Sequence, residues 1–322
     1  MPREVPGDPA RDGASFIPSV VGHAEFRAAG VAHGRGTDGR WTVVDPERHP
    51  LYVWRRTLPA GRSYARTART LDAAVFTNGP MMGKRLPQGR KVTRRGVPLE
   101  FATWAAVGTA TGLGVARIVG TRGSWLVGGV AGAALAWRRT LTGWVPCGRV
   151  RGQADGIDDR RNFDDEGSGH AWFGRFGRDF GSYRIAGGDL PTDVEEGVGG
   201  LILLVRDFTV VGKRIGDSCY CRDFAELAHK KGVVAWGLVP GEGQTRRTPT
   251  AHPAAGAGVL VVLGGHRLRA ATAAAILSTI GTRDAVATDQ SGSVLMGSGR
   301  ECVLRPPSPP RQAMQLYGLC CR

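Results

Sequence analysis

Near the C-terminal end of the chain an apolar run, DAVAT (284–288), delivers Asp289 to its end, and Gln290-Ser291-Gly292-Ser293 follows at once. Small side chains after a carboxylate let backbone N–H groups converge on a ligand as an anion nest. The hydroxyls of Ser291 and Ser293 add donors. Such a corner could activate water or balance developing positive charge while it holds an anion. The same residues also suit an ordinary β-turn in which Asp and Ser cap their own backbone. A second corner, Asn78-Gly79-Pro80, ends the apolar run LDAAVFT (71–77), and Asn and Gly tolerate the backbone geometry of a sharp turn. Among the histidines, His266 adjoins Gly264-Gly265 and Arg267 at an expected strand end, which suits an acid or base. His170 lies in the glycine-rich, aromatic stretch GSGHAWFGRF, and His229 reads as structural on an amphipathic helix.

These residues need elements to carry them. WTVV (41–44) and LYVWRRTL (51–58) are predicted strands separated by the turn DPERHP. GGLILLVRDFTVVG (199–212) reads as a hairpin with Arg206-Asp207 near its turn, and VVAWGLV (233–239) and VLVVL (259–263) as strands. RDFAELAHKK (222–231) is predicted to be a helix, as is the stretch from Arg267 to Ile280, which Gly281 ends. The pattern is α+β, with mixed β-sheets and packed helices.

The order of these blocks resembles the phosphodiester glycosidase family. The blocks are AVFTNGP (74–80), GLILLVRD (200–207), GVVAWGLVP (232–240), VLVVLGGHR (259–267) and IGTRDAVATDQSGS (280–293), and they span residues 70–300 around an insertion. The resemblance implies hydrolysis of a sugar-1-phosphodiester at the anomeric C–O bond. Asp289 would be the key carboxylate, and His266, from its place at a strand end, is a further catalytic candidate. Asn78, Gly79, Ser291, Gly292 and Ser293 would be ligands for sugar hydroxyls or phosphate oxygens; from its Gly-rich loop beside aromatics, His170 is placed to stack on a sugar or act as an acid. The departures are specific. Gln290-Ser291-Gly292 replaces three glycines after the carboxylate, and Val234-Ala235-Trp236-Gly237 replaces a segment that would carry a substrate-binding arginine. Arg206, Arg267 and Arg300 are candidates to substitute for it. No cofactor or metal is implied. G-x-S-x-G, Walker A and dinucleotide-binding patterns are absent from the sequence.

The chain has 322 residues and a formal net charge of +15, concentrated in residues 1–150, which hold 22 Lys/Arg against 9 Asp/Glu. A basic half invites a nucleic-acid reading. Only 5 of the 43 basic residues are Lys, however, and no zinc-finger or RNA-binding signature accompanies them, so nucleic acid is not the expected partner. A glycosyl phosphate or glycoconjugate is. The six cysteines lack metal-ligand spacing, and the acidic group at Asp155, Asp158, Asp159, Asp164, Asp165 and Glu166 does not fit a calcium loop.

Two uncharged runs, 101–116 and 124–137, pair Gly108 with Gly112 and Gly128 with Gly132, a spacing that lets helices approach closely. Arg117, Arg122, Arg138 and Arg139 bracket them. Both runs are shorter than the ~20 residues that span a bilayer. They read either as a membrane-dipping helical hairpin inserted at about 84–140, anchoring a binding protein through 101–137, or as a buried Ala/Gly-rich helix pair. The domain reading is a flexible N-terminal arm (1–40), a phosphodiester-glycosidase-like domain (41–304) that carries the insertion, and a Pro-rich tail (305–322). The first twenty residues contain acids and prolines and no apolar core, so a cytoplasmic chain without a secretory signal is expected, membrane-associated if the hairpin reading holds.

Overall fold

The computed structural model describes residues 4–6, 13–36, 39–55, 64–85, 91–92, 106–114, 117–118, 130, 134, 144–160, 171–211, 231–241, 258–290, 293–306 and 316–322. In chain order the strands are β1 (Glu4–Pro6), β2 (Val31–Arg35), β3 (Arg40–Val44), β4 (Leu51–Arg55), β5 (Ala73–Asn78), β6 (Met82–Arg85) and β7 (Lys91–Val92). Next come β8 (Trp144–Pro146), β9 (Val150–Gly152), β10 (Ile157–Asp159), β11 (Ala171–Arg175), β12 (Tyr183–Gly187), β13 (Glu196–Arg206) and β14 (Thr209–Val210). The last are β15 (Lys231–Val239), β16 (Val259–Arg269), β17 (Asp284–Ala287), β18 (Met296–Gly299), β19 (Glu301–Leu304) and β20 (Tyr317–Cys321). The helices are α1 (Gly13–Gly22), α2 (Ala24–Ala29), α3 (Tyr64–Leu71) and α4 (Ala270–Thr279).

The chain divides into two compact units, Met1–Met81 with Pro146–Arg322, and Met82–Val145. In the second unit β6 and β7 pair antiparallel, and residues 106–114 are helical. Val107, Leu113, Ile118 and Val130 are exposed there. No helix among the described residues is long and apolar enough to cross a membrane.

The first unit is α+β, as the sequence predicts. Its larger sheet runs β1-β2-β3-β16-β15-β17-β13-β11-β12, with β9, β10 and β14 attached beside β13, and its smaller sheet runs β19-β18-β5-β20-β4. Only β1 on β2 is parallel among the described strand pairs. The central strands of the larger sheet are covered on both faces, which is why VVAWGLV and VLVVL read as unbroken apolar runs. Val234, Trp236 and Leu238 pack toward the smaller sheet with Val53, Val75 and Leu319. Val233 and Ala235 lie in the opposite layer with Ala273, Ala274 and Leu277 of α4 and Phe16 and Val20 of α1.

Four boundaries differ from the sequence reading. Within 1–40, expected as a flexible arm, the described residues supply β1, α1, α2 and β2, and Phe16 meets Trp41 edge-on at 4.8 Å between ring centroids. Phe16, Ile17 and Val20 form one apolar face too short to stand out from the Gly/Pro-rich composition. The stretch 305–322, expected as a tail, also holds a strand. Tyr317–Cys321 enters the smaller sheet between β5 and β4, all five residues buried, and a five-residue strand buried on both faces shows no alternation. β16 continues past Leu263 to Arg269 because its pairing with β15 resumes at Lys231↔Arg269. Helix α4 consequently begins at Ala270 instead of Arg267. The hairpin at Arg206-Asp207 forms as read, with Arg206 opposite Thr209 and positive φ at Asp207 and Phe208. The stretch 222–230, with His229, lies outside the described residues.

Gly200 bends β13 at φ +71°, where a Cβ would sit 2.9 Å from Gly148 N. Before that bend β13 pairs with β9 and β11; past it, with β17 and, at Leu201, still with β11. Glu196, at the start of β13, is buried, and its carboxylate accepts from Val53 N at 2.8 Å and Ala154 N at 2.9 Å. Burial raises its pKa above the ordinary carboxylate value, against the lowering effect of those two N–H donors. The folded state therefore binds the proton more tightly than the unfolded one, and Glu196 withdraws stability as pH rises from the ordinary carboxylate value through the raised one. Glu196→Gln abolishes that titration. Urea denaturation between pH 5 and 8 should show the stability difference moving in favour of the variant as pH rises; a pH-independent difference would contradict this.

Candidate active site

The asparagine corner and the acidic corner meet, although they come from different sheets. Asn78 closes β5, and Asp289 lies two residues beyond β17. Asn78 Nδ2 donates to Asp289 O at 2.7 Å, and Asn78 Oδ1 accepts from Leu295 N at 3.2 Å. The backbone repeats the connection: Asp289 N donates to Gly79 O at 3.0 Å, and Asn78 N donates to Leu295 O at 3.1 Å. One carboxamide thus holds both the entry to and the exit from the turn that carries Asp289. Gly79 is confined, since a Cβ there would lie 2.8 Å from Tyr317 O of β20.

Further bonds fix the same corner from outside. Thr288 donates to Val234 O from its N (2.9 Å) and its Oγ1 (3.2 Å), which keeps the end of the run on β15. Thr77 Oγ1 donates to Asn78 O at 2.9 Å and accepts from Trp236 Nε1 at 3.0 Å, a polar bridge between the two sheets. Met81 N donates to Gly200 O at 3.2 Å, so the chain leaving the corner is tied to the bend in β13. Sequence reading did not single out Thr77, Trp236 or Leu295. The usable signal was a threonine directly before Asn-Gly in an apolar strand.

Asn78 and Ser293 are wholly buried, Asp289 is 4% exposed and Gln290 3%. With both ends of its amide engaged, Asn78 joins the corners together, a positioning role where the sequence reading expected a ligand. Ser293 N donates to Gln290 O at 3.4 Å, closing the turn. Ser291, Gly292 and His170 lie outside the described residues.

The remaining candidates are spread out. His266 and Arg267 are exposed on β16. β16 stands two positions from β17 in the sheet, so the two strands run roughly 10 Å apart at ~4.8 Å per strand. Arg206 sits at the opposite end of the sheet, because Asp207 N donates to Asp284 Oδ1 at the start of β17 whereas Asp289 follows its finish. It is exposed, 3.8 Å from the Asp207 carboxylate. Its placement there follows from the hairpin turn, which puts it at the far end of the same strand whose bend touches the corner. Arg300 lies in the turn between β18 and β19 and pairs with Asp72 at 3.2 Å. Val234, where the resemblance places an arginine, is buried between the sheets. No group of three or more metal-ligating side chains occurs among the described residues.

No protein-family model matches the chain, and no curated protein matches it in sequence. Among solved structures it is similar to the catalytic domain of zebrafish N-acetylglucosamine-1-phosphodiester alpha-N-acetylglucosaminidase, auto-inhibited by its pro-peptide. That likeness has a TM-score of 0.46 and 14% identity, over 88% of this chain and 76% of the other. A putative exported protein from Burkholderia pseudomallei gives 0.43 and 12%, over 88% and 73%. A hypothetical protein from Synechocystis gives 0.39 and 10%, over 90% of this chain and 63% of that one.

Removing the joining amide should be costly. Asn78→Ala strands one buried donor and one buried acceptor, at about 1–3 kcal/mol each, so urea denaturation should show a loss of about 2–6 kcal/mol. A loss below about 0.5 kcal/mol, the size of an ordinary surface substitution, would mean that the amide does not hold the corner.

Proposed function

We propose that the protein is a hydrolase that cleaves a sugar-1-phosphodiester, with Asp289 as its key carboxylate. The observation that carries this reading is the meeting of the Asn78-Gly79 corner with the Asp289 turn, 211 residues apart in sequence. The ordered blocks in the sequence support it too. In the reaction water adds its oxygen to the anomeric carbon. The C–O bond to phosphate breaks with its electron pair on the phosphate oxygen, and the products are the free sugar and a phosphomonoester. A phosphodiester oxygen leaves as a weak base, so the step needs little help from a general acid. It needs a carboxylate to accept water's proton or to face the positive charge spreading over the sugar ring, and donors on the phosphate. Asp289 supplies the first. In the sequence Ser291 and Ser293 bring hydroxyl groups to the stretch that follows it.

A panel of hexose-1-phosphodiesters, followed by release of free sugar, tests this. Wild type should turn over at least one, and Asp289→Asn should fall about 100-fold or more with unchanged thermal unfolding. Absence of turnover across the panel, or full activity in the variant, would overturn the reading.

A second reading, a membrane-associated glycosyl-phosphate-binding protein, is favoured by one observation. The exposed large apolar side chains among the described residues, Val107, Leu113, Ile118 and Val130, all lie in the insertion. Arginines flank its uncharged runs, which suits an anionic lipid surface. Vesicles containing phosphatidylserine should sediment the full chain, and Ile118→Glu, at a position 87% exposed, should lower the bound fraction several-fold. Equal sedimentation of the variant would contradict it.

A further inference from the structure

An open cleft of about 560 Å³ lies at the end of the first unit where β4 and β10 finish and β20 begins. Among the described residues, 156–160 form one wall, and Arg55 and Tyr317 form the other. The cleft stands behind the Asn78-Gly79 corner, because Tyr317 pairs with Arg55 while its neighbour Gly318 pairs with Asn78.

Strand alternation sorts the polar groups of the first wall. In β10, Ile157 and Asp159 are buried and Asp158 is exposed. Asp159 reaches across to the smaller sheet, where its Oδ2 accepts from Tyr317 OH at 2.6 Å. Asp158 points the other way, between two guanidiniums. Its Oδ1 accepts from Arg149 Nε at 3.1 Å and its Oδ2 from Arg160 Nε at 2.9 Å. Arg160 Nη2 is 2.8 Å from the same Oδ2. Arg55 lies over the Tyr317 ring, 5.9 Å from its centroid. Gly156 turns the chain into β10 at φ +63°, and a Cβ there would meet nothing within 4 Å, so the rim stays open.

The formal charges of the lining cancel, Arg55 and Arg160 against Asp158 and Asp159. An entering anion would meet two carboxylates and an entering cation two guanidiniums, so a charged ligand gains little. The paired groups still offer directional bonds. A guanidinium carries five N–H donors and an ionised carboxylate about four acceptor positions. Asp158 engages Arg160 through two of its three nitrogens, and that side chain is 74% exposed. A hydroxyl both donates and accepts, so a ring bearing several hydroxyls can bond guanidinium and carboxylate together with no charge to match. Ile157 and Tyr317 supply apolar backing for its C–H face. The volume falls within the range of ligand sites, about 300–1,000 Å³, and suits a short oligosaccharide.

We propose that this cleft binds an uncharged oligosaccharide, with Arg55 and Arg160 donating to its hydroxyls and Asp158 and Asp159 accepting from them. The site goes beyond the hydrolase reading, since binding here needs no bond cleavage at Asp289.

The test is titration of the full chain with maltotriose, cellotriose, mannotriose and chitotriose, followed by saturation-transfer NMR of the sugar. At least one should bind saturably, and its affinity should hold within about twofold from low to physiological salt, because an uncharged ligand has nothing to screen. Arg160→Met, at the exposed position least able to disturb folding, and Arg55→Met should each weaken binding about 10-fold. Arg206→Met, at the far end of the larger sheet, and Asp289→Asn should bind as wild type does. Binding of none of the four sugars, unaltered binding in both cleft variants, or an affinity that falls steeply with salt would overturn the proposal. Loss of binding in Asp289→Asn would assign the sugar to the acidic corner and overturn it as well. Saccharide binding by a protein that hydrolyses no glycosyl phosphodiester would leave this site standing and remove the hydrolase reading alone; turnover without saccharide binding would do the reverse.

Discussion

A single buried carboxamide governs the acidic corner. Asn78 faces a carbonyl on one side and an N–H on the other, Asp289 O and Leu295 N. A buried backbone group without a partner is expensive, so the turn 289–295 cannot drift from the end of β5 without exposing both. Asparagine meets this demand because one side chain carries a donor and an acceptor; Asp would lack the donor, and Leu would lack both. The acidic turn and the smaller sheet are locked together by the same atoms that fix where the carboxylate stands.

The rest of the first unit extends that lock. Thr77 carries it across the core to Trp236, and Thr288 fastens the end of the run to β15. Gly79 allows β20 to press against the corner, which places the last strand of the chain directly behind the site. The sandwich thus brings residues from positions 77–81, 200, 234–236, 288–290, 293–295 and 317–318 around one point. The proposed cleavage of a C–O bond to phosphate would need this kind of fixed geometry more than mobile groups, because stabilisation comes from donors and charges already in place.

Much of this was legible in the residues. Strands buried on both faces announce themselves as continuous apolar runs, so β13, β15, β16 and β17 could be read, and the hairpin at Asp207-Phe208 followed from its polar break. Asn78-Gly79 and Asp289 could be singled out because a turn needs such residues whether or not it does chemistry. Their convergence could not be read, since nothing local encodes a hydrogen bond spanning 211 residues. Short elements were hidden as well. Tyr317–Cys321 is too brief to show a period beside its proline block, and α1 turns its apolar face inward within a glycine-rich segment. Arg206 shows the limit of reading by order alone: an arginine one strand from the site in sequence stands at the other end of that strand in space.

The account turns on whether a substrate enters between the asparagine corner and the acidic turn. A crystal structure of the full chain soaked with a non-hydrolysable glycosyl phosphonate addresses that directly. The account predicts density with the anomeric carbon facing the Asp289 carboxylate and the phosphonate on the 290–293 turn. A sugar bound elsewhere, with the Asp289 side chain still enclosed by protein, would contradict it.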